Sequence, residues 1–158
     1  MSVVKVKEYL KKWNLDDQVM EFELSSATVE LAAIAVGVSK QRIAKTLSFK
    51  DRDENCILVV AAGDCRVDNK KYKAEFGCKA KMLTPEEAID MTGHAVGGVC
   101  PFALPEGVKV YLDISLKRFE TVFPACGSAN SAIELTPEKL YEISGAERWV
   151  DISKLRQD

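Results

Sequence analysis

The sequence predicts an α+β (mixed α/β) domain over residues 1–158, in which a curled, mixed and largely antiparallel β-sheet or barrel is surrounded by helices. Three observations lead there. Segments with apolar residues at helical spacing are interleaved with segments that alternate at period two. Several connections between adjacent predicted strands are too short for the crossover that parallel strands require. Residues 56–62 are almost wholly apolar, as expected of a strand covered on both faces.

Residues 2–13 place Val3, Val6, Leu10 and Trp13 at helical spacing, with lysines on the opposite side. Residues 18–24 alternate and predict a strand. Residues 25–35 predict a compact helix, capped by Ser26 or Thr28 and stopped by Gly37. A second short helix is expected through Ile43. Residues 45–50 alternate again, 51–55 form a polar turn, and 56–62 complete a hairpin. Residues 68–76 read as a helix with Asp68 as cap and Gly77 as stop. A short strand is expected over 79–83. Thr84-Pro85-Glu86-Glu87 then starts a helix: a capping threonine, a proline in the first turn and a glutamate three residues past the cap. That helix ends at Gly93. Further on, 108–114 predict a strand, 115–119 a turn of helix, and 121–123 and 132–135 two more strands. Thr136-Pro137-Glu138 starts a last helix that stops at Gly145, and 149–152 form a terminal strand.

Composition narrows the function classes. The chain is 47% hydrophobic and 29% charged with a net charge of −2, ordinary for a globular domain. It lacks the basic excess of proteins that wrap a long duplex, so a nucleic-acid partner is expected to be gripped locally. No apolar run approaches 18 residues and no charged-then-apolar leader is present, so the expectation is a cytoplasmic protein with no membrane partner. The five cysteines (56, 65, 78, 100 and 126) lack CxxC spacing and read as reduced thiols. With one histidine and no thiol cluster, no structural metal site is expected.

The chemistry-bearing candidates fall in few places. Gly93-His94-Ala95-Val96-Gly97-Gly98-Val99-Cys100-Pro101 carries no helix or strand pattern and holds the only histidine. Its glycines allow a ligand close to the main chain, and its N–H groups suit an oxygen or anion; the plain alternative is a connecting loop. Lys45 stands where a short helix hands over to a strand, a position from which a fixed cation reaches a phosphate or carbonyl oxygen; its alternative is a surface lysine. Residues 33–43 also have the spacing of a DNA-binding helix-turn-helix, with Lys40, Gln41 and Arg42 offered to bases. The second helix is too short for that role, and period two begins directly after it. Cys100 as a nucleophile needs a base, and His94 is the only imidazole; its alternative is an inert small apolar residue. Lys70, Lys71, Lys73, Lys79 and Lys81 form the densest basic patch, either a solvated face or a landing site for a few phosphates. Asp113, at the end of its strand, either orients a donor or caps the following turn.

Four stretches together resemble the YbaK/EbsC family, the free-standing relatives of the editing domain of bacterial prolyl-tRNA synthetases. They are Thr28-Val29-Glu30 with Gly37-Val38 and Arg42-Ile43-Ala44-Lys45-Thr46-Leu47; Gly93 through Phe102; Val110-Tyr111-Leu112-Asp113 with Phe119-Glu120-Thr121-Val122; and Gly127-Ser128 with Ile133-Glu134-Leu135-Thr136-Pro137-Glu138-Lys139-Leu140. The similarity runs from about residue 20 to the C-terminus. It implies hydrolysis of the ester between a non-cognate amino acid and the 3′ end of a transfer RNA, most simply that of proline carrying alanine, cysteine or another small residue. It implies no metal or organic cofactor and no duplex DNA partner, and it leaves room for prolyl-tRNA synthetase as a second partner. In that picture Lys45 is catalytic, positioning the ester for attack by water or a ribose hydroxyl. Thr46, His94, Gly97, Gly98, Val99, Cys100, Asp113, Gly127 and Ser128 line the substrate pocket, and Lys70, Lys71 and Lys73 touch the transfer RNA. Serine stands at the position of Cys100 in some relatives, which argues against an obligatory thiol. The second expectation is a non-catalytic module that binds transfer RNA or a synthetase; the helix-turn-helix regulator and a thiol enzyme come after it.

Overall fold

The computed structural model describes residues 2–23, 25, 28–95 and 97–156. Its centre is a hairpin. Strand β2 (Ile43–Lys50) turns at residues 51–55 into β3 (Cys56–Ala62), pairing antiparallel from Ala44↔Ala62 to Lys50↔Cys56. The turn closes because the Asp51 carboxylate accepts the main-chain N–H groups of Asp53 and Asn55, while Glu54 takes the left-handed conformation. All seven residues of β3 are buried. They have to be, because β3 is covered on both faces. On one side Leu58, Val60 and Ala62 meet helix α1 (Ser2–Leu10) through Val6 and Leu10, and helix α5 (Pro137–Ser144) through Leu140 and Ile143. On the other, Ile57 and Val59 meet Phe49 and Tyr72, the latter from helix α3 (Asn69–Phe76).

Strand β4 (Cys65–Val67) follows β3 directly, and helix α4 (Pro85–Thr92) and β5 (Lys109–Asp113) come after α3. The remaining strands are short: β1 (Met20–Glu21), β6 (Phe123–Pro124), β7 (Ser131–Ala132), β8 (Trp149–Val150) and β9 (Ser153–Leu155). Helix α2 (Val29–Val36) precedes β2. The main sheet has the order β6-β2-β3-β5-β8, and β1-β7 and β4-β9 form two small antiparallel ribbons.

The mixed architecture is as the sequence predicts, with one refinement. Within the main sheet only β2–β3 is antiparallel; β2–β6, β3–β5 and β5–β8 are parallel. The short connections argued for antiparallel neighbours, but they join elements adjacent in the chain and not adjacent in this sheet. Several predicted strands also shrink. Residues 18–24 give only β1, and Leu24 lies outside the described residues. Residues 79–83 reduce to a bridge between Met82 and Phe49, and 132–135 to β7 plus a bridge between Leu135 and Val122. The expected second helix after Gly37 is one 3-10 turn, Lys40–Arg42. Arg42 is spent inside the fold, donating to the Thr121 carbonyl and hydroxyl and to Glu134. No recognition helix exists there, which removes the structural basis of the helix-turn-helix reading.

Candidate active site

A cavity of about 300 Å³ opens between α2, the outer edge of β2, the start of α4 and the turn that follows α4. Each wall is placed by local chemistry. Thr28 caps α2 by accepting the Leu31 N–H, and Gly37 ends it in the left-handed conformation; Ser26, the other predicted cap, lies outside the described residues. Thr84 and Glu87 form a complete capping box at the start of α4, with Pro85 in the first turn. Glu87 also pairs with Lys50, which ties the start of α4 to the end of β2. Gly93 stops α4 with φ 78°, and the chain enters the glycine turn.

In that turn the Gly98 N–H donates to the Ala95 carbonyl, and Gly97 takes φ 84°. Gly97 and Val99 line the cavity. Gly98 lies behind them, pressed on the main chain of a second loop. A Cβ built on it would stand 2.6 Å from the Ser128 nitrogen and 2.7 Å from Gly127 carbonyl carbon. Gly127 and Ser128 therefore do not line the cavity; they buttress the turn that does. Gly127 in turn backs on Ser2 of α1 with φ 93°.

Lys45 and Thr46 both line the cavity from β2. The Lys45 ammonium donates to the Cys65 carbonyl. Burial lowers its pKa from the usual lysine value, and the nearby Arg156 lowers it further. The Thr46 hydroxyl is sealed from solvent and has no hydrogen-bond partner among the described residues.

Three further predicted residues stand elsewhere. Cys100 is fully buried in the core, its thiol pushed up to about 12 by desolvation. His94 is also buried, and its Nε2 lies 2.8 Å from the Phe102 carbonyl. Cys100 Sγ and His94 Nε2 are 3.6 Å apart, a proximity that a separation of six positions in the sequence did not reveal. Neither lines the cavity, and burial holds the thiol neutral, so the pair is core structure. Asp113 is wholly buried and takes the capping alternative: it accepts from the main chain of Ser115 and Ile152 and from the Ser153 hydroxyl.

Of the basic patch, Lys70, Lys71 and Lys73 lie on α3, none of them lining the 300 Å³ cavity. Lys71 is engaged with Asp151 and the Ser153 carbonyl. It lines a separate cavity of about 610 Å³ with Asp113, Arg118 and Lys154. The residues that sequence reasoning passed over are the small ones: Ala32, Ala44, Ala88, Ala125 and Ala132 shape the first cavity. A buried alanine gives no signal of its own. Among the described residues, no group of three or more His, Cys, Asp or Glu side chains could hold a metal ion.

The molecule is thus a small mixed α/β domain with a cavity of small-ligand size walled by a glycine turn, a strand edge and a lysine. The aminoacyl-tRNA editing domain matches residues 25–143, and the chain belongs to that family. It is 56% identical to "Uncharacterized protein YwhH" of Bacillus subtilis over 98% of both chains. It is 28% identical to "Putative Cys-tRNA(Pro)/Cys-tRNA(Cys) deacylase EbsC" of Enterococcus faecalis, over 91% of this chain and 83% of that one. A solved structure described as "a putative trans-editing enzyme for prolyl tRNA synthetase" superposes with a TM-score of 0.86 at 30% identity, covering 97% of each chain.

Proposed function

We propose that this protein is a trans-editing deacylase that hydrolyses the ester of transfer RNA carrying a small non-cognate amino acid, with proline transfer RNA as the leading substrate. One observation carries the reading: Lys45 and the turn residues Gly97 and Val99 wall the same small cavity. A cavity of about 300 Å³ suits a small aminoacyl group and part of its ribose. With part of the ribose seated, the remaining volume suits an alanine-sized or cysteine-sized side chain, and the wall alanines stand where one methylene decides the fit. EbsC and the prolyl-tRNA-synthetase-associated structure support transfer RNA as the partner.

In the proposed reaction a water, oriented by the neighbouring ribose hydroxyl, adds to the ester carbonyl. Negative charge builds on the carbonyl oxygen, the bond to the ribose oxygen breaks, and a proton from the water passes to that oxygen, releasing the amino acid and the uncharged transfer RNA. An aminoacyl ester is already activated, so placing the attacker and stabilising the charge suffices without a protein nucleophile. Lys45 spends one of its three N–H donors on Cys65. In this reading the others serve oxygens of the ester or terminal phosphate, and the main chain of Gly97 and Val99 lines the same cavity. The test is a deacylation panel: proline transfer RNA charged with alanine, cysteine, serine and proline, with wild type and Lys45→Ala. Hydrolysis of one small non-cognate ester by wild type alone is expected. Binding of the charged transfer RNA without hydrolysis by wild type would favour the non-catalytic module.

A further inference from the structure

The outer edge of β2 is interrupted in the middle. At one end Ala44 pairs with Pro124 of β6. At the other, the Leu83 N–H donates to the Ser48 carbonyl at 3.1 Å, and the Lys50 N–H donates to the Lys81 carbonyl at 2.8 Å. Main-chain groups of a strand point alternately to its two sides. Ser48 and Lys50 point outward, so Thr46 does too, away from β3. Among the described residues, nothing between β6 and the 81–83 segment pairs with it. The 300 Å³ cavity is this gap: its wall includes Ala44, Thr46 and Ser48 from β2, Ala125 just past β6, and Leu83 on the far side. From Ala44 to Ser48 the strand runs about 13 Å. The flanking segments block continuation either way, so the slot admits one residue and no strand.

An aminoacyl ester is one residue long. It carries a nitrogen donor and a carbonyl acceptor on either side of a single α-carbon, as a strand residue does. In an antiparallel hydrogen-bonded pair, two residues exchange both bonds. We infer that the substrate's aminoacyl group docks on the open edge of β2 as a one-residue strand, its α-ammonium donating to the Thr46 carbonyl and its ester carbonyl accepting the Thr46 N–H. This inference rests on the deacylase reading and adds to it the atoms that recognise the acyl group. The sealed Thr46 hydroxyl is consistent with it, since the recognising atoms belong to the main chain. The pairing requires a free α-amino group whatever the side chain, so the site reads aminoacyl esters as a class, and the alanine walls choose among them.

The test uses non-hydrolysable 3′-amide analogues of aminoacyl-adenosine, so that differences in ester reactivity play no part. Binding of the alanyl analogue to the intact protein is compared with that of the propionyl analogue, which keeps the carbonyl and loses only the ammonium. Loss of one charge-assisted hydrogen bond predicts binding weaker by about 10- to 100-fold. Thr46→Pro removes the N–H at an edge position where proline is tolerated; it is expected to weaken both analogues by about tenfold, with melting temperature as the folding check. Equal affinities for the two analogues would overturn the docking mode and leave the deacylase reading standing. Failure of wild type to hydrolyse any aminoacyl-tRNA in the panel would overturn both.

Discussion

Gly98→Ala is the sharpest test of how the cavity is built. The added methyl would meet the Ser128 nitrogen at 2.6 Å, with the Gly127 carbonyl carbon and Ser128 Cα each at 2.7 Å. All three are main-chain atoms, so no rotamer change relieves the clash. Ordinary contact begins at 3.4 Å, and the two loops must part by about 0.8 Å. Overpacking of this kind costs about 3 kcal/mol, the upper end of its usual range. For a chain of this size that lowers the melting temperature by about 6–12 °C. The displaced loop carries Gly97 and Val99, and a shift approaching 1 Å in a positioning group costs about 100-fold in rate. Gly93→Ala is the control. Gly93 has φ 78° and nothing within 4 Å of the added methyl, so it costs only the left-handed conformation, about 1 kcal/mol. Thermal melts and single-turnover deacylation of the two variants separate the effects. A Gly98→Ala protein that melts and turns over like Gly93→Ala would refute the claim that this contact sets the cavity.

Lys45→Ala is expected to abolish deacylation while changing the melting temperature by no more than about 2 °C, because burial already disfavours the charged ammonium in the fold; a folded variant with near-wild-type rates would remove Lys45 from the reaction. The folded-state pKa of Lys45 is lowered, so its contribution to ligand binding holds at neutral pH and is lost as pH rises through a value below the ordinary 10.5. Binding of the alanyl amide analogue against pH measures that limb, and Lys45→Arg should abolish it. Asp113→Ala strips three donors of a buried acceptor and should cost about 3 kcal/mol, seen as a melting-temperature drop with the affinity of the analogue retained in the folded fraction. Iodoacetamide at pH 8 should modify the partly exposed Cys78 and leave activity intact, since the Cys100 thiol is sealed and pushed up to about 12; inactivation that tracks labelling of Cys100 would revive the thiol reading.

What the sequence disclosed follows from the kind of signal each residue leaves. The hairpin of β2 and β3 was legible because Asp51 to Asn55 break two β-patterned runs. Helix α4 was legible because Thr84, Pro85, Glu87 and Gly93 each act within one turn of the main chain. Strands β6, β7 and β8 have two residues each and are held by distant partners, so local pattern overstated them. The same limit applied at the site. Lys45, Gly97 and Val99 could be singled out by type and place, whereas Asp113, His94 and Cys100 drew attention as reactive groups and turned out to be buried in the fold's own hydrogen bonding or core. Sequence chemistry ranks side chains by what they could do, and burial decides whether they are free to do it.

That distinction bears on how specificity arises here. Apart from the Lys45 ammonium, the atoms proposed to contact the constant part of the substrate are main-chain atoms, fixed by Gly98 against Gly127 and Ser128 on one side and by strand pairing at Ala44 and Ser48 on the other. Exchanging one of the wall alanines does not remove any of these atoms. In the proposed binding mode the variable part of the substrate faces Ala32, Ala88, Ala125 and Ala132, where a change of one methylene is expected to alter the fit of a small acyl group by about 1–3 kcal/mol. A scaffold of this kind can keep its chemistry while its choice of amino acid drifts. Ala32→Gly or Ala88→Gly should then widen the range of esters hydrolysed while Lys45 dependence persists. Loss of hydrolysis of all esters by both glycine variants, with the fold intact, would show that these walls do more than measure the side chain.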